Sequence, residues 1–140
     1  MIHALLDTNV ILDVFLERSP WSTDAAVLWQ AKLDRRFVAC ATATSITDIF
    51  YITRRYAGRE KAWQTVHTSL DQLSVIPVGI DELRLATTIG GNDFEDNLQI
   101  ACAISNQLDL IVTRNLAGFP RNNIPILTPQ QMLLKLTEED

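Results

Sequence analysis

Cysteine and histidine are scarce, with two of each in 140 residues. His3 and His67 lack the spacing of metal ligands, and Cys40 and Cys102 lie far apart in the chain, so no zinc-type site is expected. The two cysteines could pair as one disulfide; the apolar residues around both read instead as two buried thiols in a reducing cytoplasm. Basic charge is also short: 12 Lys and Arg stand against 17 Asp and Glu, a net charge of −5. That excludes a protein that grips nucleic acid by bulk positive charge, but not one that approaches phosphate through a metal ion. No run of about 18 uncharged apolar residues occurs, so no membrane-spanning helix is expected. Asp7, Asn9 and Asp13 interrupt the apolar start, so no secretory leader is expected, and the cytoplasm is the predicted location. The nucleotide-binding loops G-x-x-x-x-G-K-[ST] and G-x-G-x-x-G are absent, as is the G-x-S-x-G nucleophile elbow. Repeats, low-complexity tracts and linkers are missing too, and Gly90-Gly91 is the only flexible pair.

What is present is the composition of one globular domain, 47% hydrophobic and 21% charged. A chain of this length buries about 70% of its extended surface and needs no staples. Ile2 to Leu6 reads as a short buried strand, and Asp7-Thr8-Asn9 opens a helix with an apolar stripe of Val10, Ile11, Val14 and Phe15. Ser19-Pro20 opens a second helix through Leu33. Phe37 to Ala41 is a strand, followed by a helix through Ile46, Ile49, Phe50 and Thr53 and another through Ala62, Val66, Leu70 and Leu73. Ser74 to Val78 is a third strand, and 80–89 is helical up to the glycine pair. Asn92 or Asp93 caps a helix running to Leu108. Leu110 to Thr113 and Ile124 to Leu127 complete the strands, and Thr128-Pro129 starts the last helix with proline at its favoured first position. The tryptophans Trp21, Trp29 and Trp63 fall in helices and read as packing residues. Apolar strands alternating with helices predict an α/β fold with a mainly parallel sheet. Functional groups in such sheets gather at the carboxyl ends of strands, here Asp7-Thr8-Asn9 and Thr113-Arg114-Asn115.

Acids stand at element boundaries. Asp7 ends a buried strand, Asp48 lies on an otherwise apolar helix, and Asp93 and Asp96 share one face of a helix start. Carboxylates converging without bases repel and hold their protons unless a cation sits among them, and hard oxygen donors suit Mg²⁺ or Mn²⁺. The reaction class this predicts is metal-assisted hydrolysis of a phosphodiester. Each acid also has a structural reading. Asp7 could cap the first helix, although Val10 denies it a reciprocal capping box. Ser45-Ile46-Thr47-Asp48 fits the [ST]-x-x-[DE] capping pattern. Asp93 is a natural cap, Asp96 suits a helix first turn, and Asn115 suits a left-handed turn. A receiver-type phosphoacceptor domain would want paired acids after the first strand and a lysine after a late one. Only Asp7 fills the first place, and no lysine occurs between Lys61 and Lys135.

The segments Leu5-Leu6-Asp7-Thr8-Asn9-Val10-Ile11-Leu12, Ser45-Ile46-Thr47-Asp48-Ile49, Asp93-Phe94-Glu95-Asp96-Asn97-Leu98-Gln99, Ile111-Val112-Thr113-Arg114-Asn115 and Ile124-Pro125-Ile126-Leu127-Thr128-Pro129 stand in the order of a known family. The chain resembles the PIN domain, the nuclease fold of VapC-type toxins in toxin–antitoxin pairs, over nearly its whole length. The resemblance implies one domain over 1–140 built as a three-layer α/β/α sandwich, with an acidic pocket that binds Mg²⁺ or Mn²⁺ and cleaves single-stranded RNA. It implies that Asp7 and Asp96 ligate the metal, that Asp48 assists from a place usually held by Glu, and that Asp93 is an auxiliary carboxylate. Asn115 stands where many members carry a fourth acid. One branch instead carries an acid three residues later, where this chain has Gly118, which favours a single metal.

In that mechanism Thr113 and Asn9 fix the ligating groups by hydrogen bonds. Arg114 either stabilises phosphate or faces solvent. Arg54, Arg55, Arg59 and Lys61 form either a solvated helix surface or a track for the RNA backbone. The resemblance further implies a homodimer and a cognate antitoxin covering the pocket. Two functions follow from it: a ribonuclease toxin, or a degenerate module that binds RNA or a protein partner without cutting.

Overall fold

The structure, a computed structural model, describes residues 1–139. Five strands form one sheet: β1 (His3–Leu6), β2 (Val38–Thr42), β3 (Ser74–Ile76), β4 (Leu110–Val112) and β5 (Ile126–Leu127). Their order is β3-β2-β1-β4-β5, and every pairing is parallel. Seven helices connect them among the described residues: α1 (Thr8–Phe15), α2 (Ser22–Leu33), α3 (Ala43–Ala57), α4 (Arg59–Gln72), α5 (Ile80–Thr88), α6 (Phe94–Ser105) and α7 (Pro129–Glu139). The result is a three-layer α/β/α sandwich: the α/β class and parallel sheet are those the alternating pattern predicts, and the three layers are those the resemblance implies.

Side chains that alternate across the pleat build two cores. Ala4 and Leu6, Ala39 and Ala41, and Leu110 and Val112 face the layer that holds α1, α2, α3 and α7. Leu5, Cys40 and Ile111 face α5 and α6 on the other side. A strand buried on both faces has to be apolar at every position, which is why these runs are continuous. Both cysteines are buried free thiols. No helix among the described residues is long and apolar enough to cross a membrane.

The differences from expectation sit at element ends. Pro77 has no N–H to donate, so β3 stops at Ile76. Ser19-Pro20 forms a turn, and α2 begins at Ser22. The cap of α3 is Thr42, whose hydroxyl accepts from the Ser45 N–H at 3.3 Å. Ser45 is therefore inside the helix, and the predicted Ser45–Asp48 capping box does not exist. The α3–α4 joint turns on Gly58 at φ 92°, a backbone region that side chains resist. At α7, Thr128 and Gln131 do form a reciprocal capping box, at 3.1 and 2.9 Å.

Candidate functional site

The central strand delivers Asp7 to the carboxyl edge of the sheet. Its backbone N–H extends the ladder to the Val112 carbonyl at 2.9 Å. Asp7 holds the N-cap position of α1, yet its side chain makes no capping bond. The carboxylate turns into a cleft instead. One oxygen accepts from Gln99 Nε2 and the other from Thr113 Oγ1, both at 2.8 Å. Two donors from α6 and from the end of β4 thus aim both oxygens.

The cleft, about 370 Å³, is lined by Asp7, Asp48, Asp93, Glu95 and Asp96, with Asn9 and Asn115 among its other residues. Asp48 enters from α3 beside Ile52. Asp93 caps α6 by accepting from the Asp96 N–H at 3.0 Å, and both side chains still line the cleft. Thr8 Oγ1 meets Ser45 Oγ at 2.7 Å and ties α1 to α3 at the cleft floor. Gly118 leaves room beside Asp96: a Cβ there would lie 2.9 Å from Asp96 Oδ2 and 3.2 Å from Asn115 Nδ2.

No lysine, arginine or histidine lines this cleft among the described residues. The uncompensated charge shows in the acids. The Glu95 carboxyl is pushed up to about 7, first by the hydrogen bond it shares with Asp48, then by burial and by the charges of Asp48, Asp93 and Asp7. Asp96 rises to about 6, first through burial and then through Asp93 and Asp7. Hard oxygen donors with surplus negative charge fit a divalent cation such as Mg²⁺ or Mn²⁺. As placed, no three acidic, histidine or cysteine groups among the described residues stand close enough to hold one ion together.

Linkage sets the sign of the pH response. Both folded-state values lie above the ordinary carboxyl range of about 4 that the unfolded chain shows. Stability is therefore full below about pH 4 and declines as pH rises through about 7. Glu95 is exposed on its outer side and is screened by solvent. Melting in EDTA is expected to drop by about 5 °C between pH 5 and pH 8, and Asp96→Asn to flatten the slope. A melting temperature that climbs across this range would contradict the crowded-acid description. Added Mg²⁺ is expected to recover more at pH 8 than at pH 5, where protons compete for the same oxygens.

Seven of the predicted residues line this cleft: Asp7, Asn9, Asp48, Asp93, Asp96, Thr113 and Asn115. Thr113 is fully buried; its hydroxyl donates to Asp7 and accepts from the Asn115 N–H at 3.2 Å, so it orients Asp7 rather than meeting substrate. Asn9 Oδ1 accepts from Arg18 Nη2 at 3.1 Å. Arg114 does not point into the cleft. Its guanidinium stacks 3.7 Å from the Trp21 ring centroid and stands 3.6 Å from the buried Asp13. Asp13 also receives Arg18 Nε at 2.8 Å. Arg114 is thus absent from the cleft lining, its charge engaged by Asp13 behind the strand ends. Glu95 and Gln99 were not predicted. Their signal was the four-residue spacing that puts Glu95 and Gln99 on one face of α6.

The family model described as the PIN domain matches residues 3–117. No curated protein sequence matches the chain. Among solved structures, the chain is similar to DNA-bound VapBC from Salmonella typhimurium, at 18% identity over 92% of this chain and 99% of that one, with a TM-score of 0.69. It is similar to Mycobacterium tuberculosis VapC20, a sarcin–ricin loop cleaving toxin, at 16% identity over 84% and 96%, TM-score 0.68. A toxin–antitoxin complex from Klebsiella pneumoniae matches at 21% identity over 90% and 97%, TM-score 0.62. At these identities the likeness establishes the fold.

Proposed function

The chain belongs to the PIN domain family, and from that premise we propose that it is a metal-dependent endoribonuclease, the toxin of a toxin–antitoxin pair. The observation that carries this reading is the convergence of five carboxylates from β1, α3 and α6 on one cleft that no basic side chain lines among the described residues. Structural likeness to VapBC and to a sarcin–ricin loop cleaving toxin supports the same reading. We further propose one domain over 1–140, a cytoplasmic location, a homodimer, and a cognate antitoxin that covers the cleft.

Asp7 and Asp96 would hold Mg²⁺ or Mn²⁺, with Asp48 assisting and Asp93 beside them. Such an ion, when bound, supplies Lewis-acid polarisation of a phosphoryl oxygen and a more acidic water. The protein supplies the rest. Gln99 and Thr113 keep both Asp7 oxygens aimed, which spares reorganisation during the reaction. Glu95, with a value of about 7, can hold or pass a proton at its carboxyl beside Asp48 near neutral pH. Asn9 and Asn115 line the cleft, where their amide N–H groups can donate to phosphate oxygens without adding charge.

Purified protein is expected to cut a single-stranded RNA oligonucleotide in Mg²⁺ or Mn²⁺ and to stop in EDTA. One observation favours a second reading: no three potential ligands stand together as placed among the described residues. A module that binds RNA without cutting would retain the oligonucleotide intact under every metal condition. Neither cleavage nor binding would refute both readings.

A further inference from the structure

The walls of the cleft carry five carboxylates, so a phosphodiester strand needs cations just outside it. Arg114 and Arg18 cannot serve, because both are committed to Asp13. The face of α3 that leaves the cleft offers an alternative. Asp48 and Ile52 line the cleft. Arg55, one turn beyond Ile52, lies with them within about 60° of the helix circumference, and Tyr51 borders the same stripe. From Asp48 to Arg55 the helix advances about 10 Å, the reach of a neighbouring phosphate in an extended strand. Tyr51 is 64% exposed, and Phe50 braces its ring edge-on at 5.1 Å and 88°. Arg54, Arg55 and Arg59 are exposed and make no ion pair among the described residues.

We infer that this α3 stripe is the substrate path: a base flanking the scissile phosphate stacks on Tyr51, and the next phosphate pairs with Arg55. The inference rests on the ribonuclease reading and adds where the strand leaves the cleft. Stacking on a held aromatic ring beside a free guanidinium is how single strands are bound without base preference. A second copy of the chain is the competing occupant. A two-fold contact through this face would gather Arg54, Arg55 and Arg59 of both copies into one interface, whereas an RNA backbone neutralises them.

The test uses Asp7→Asn protein, which retains an RNA uncut, and a fluorescein-labelled single-stranded RNA followed by anisotropy across a salt series. Tyr51→Ala is expected to weaken binding by about 5- to 100-fold, with Tyr51→Phe near the parent. Arg55→Gln is expected to lower the slope of log affinity against log salt by about 0.7. Leu134→Ala on α7 and Arg84→Gln on α5, both exposed and away from α3, serve as controls and are expected to bind like the parent. Parent-like binding by Tyr51→Ala and Arg55→Gln, or equal losses in the controls, would overturn the path. A loss of dimer in sedimentation on Tyr51→Ala, with RNA affinity unchanged, would hand the face to a second copy. If the unsubstituted protein cuts RNA while Tyr51→Ala and Arg55→Gln bind normally, only the path fails. If it neither cuts nor binds, the ribonuclease reading fails with it.

Discussion

Asp7→Asn is expected to reduce metal-dependent RNA cleavage by more than about 100-fold, since groups that only orient a ligand are already worth about 10- to 100-fold. Asparagine matches aspartate in shape and removes the charge that an ion would meet. The fold has a way to accept it. Gln99 Oε1 is buried with no partner among the described residues, so a flipped Gln99 amide can receive the new N–H. Melting is therefore expected to stay within about 3 °C of the parent in EDTA. Thr113→Val and Gln99→Leu leave the charge but release its aim, and their losses are expected to fall in the 10- to 100-fold range. Initial rates in excess Mn²⁺, beside thermal melts, check the ranking. A parent-level rate in Asp7→Asn would mean that a contaminating nuclease had been measured.

Asp13→Ala is expected to be the most damaging single change to stability, about 3 kcal/mol or roughly 10 °C in melting temperature. Asp13 is 1% exposed and sits between the guanidiniums of Arg18 and Arg114. Burial pushes its carboxyl up, and this outweighs the two guanidiniums that pull it down. Removing the anion leaves two half-buried cations facing each other, and that uncompensated charge is the cost. Asp13→Asn keeps a hydrogen-bond acceptor and is expected to lose less. Thermal melts in EDTA compare the variants; an Asp13→Ala protein within about 2 °C of the parent would show that the cluster contributes little.

Much of this architecture is written in local chemistry. A strand buried on both faces must be continuously apolar, so β1, β2 and β4 stand out as runs and the helices as stripes between them. Asp7 is legible for the same reason: a charge that ends such a run has to emerge at the sheet edge. The failures depend on long-range placement. The Ser45–Asp48 pattern looked like a cap because local sequence does not reveal that Thr42 starts the helix one turn earlier. The direction of Arg114 is set by Trp21 and Asp13, which reach it only through the packing of α1 and α2 behind β4. Glu95 had an adequate local explanation as a first-turn acid. Its hydrogen bond to Asp48 depends on how α3 and α6 approach each other across the sheet edge.

The strand order has a mechanical consequence for ion binding. Asp7 is attached to the middle strand, flanked by paired neighbours on both sides, the kind of element expected to open only near global unfolding. Glu95 and Asp96 ride on the first turn of α6, and Asn115 on an exposed loop, segments of a kind whose amides are expected to exchange at lower cost. An ion at the proposed site would therefore meet one stiff jaw and compliant ones around it, and the loops would adapt to ions of different radius while Asp7 stays where it is.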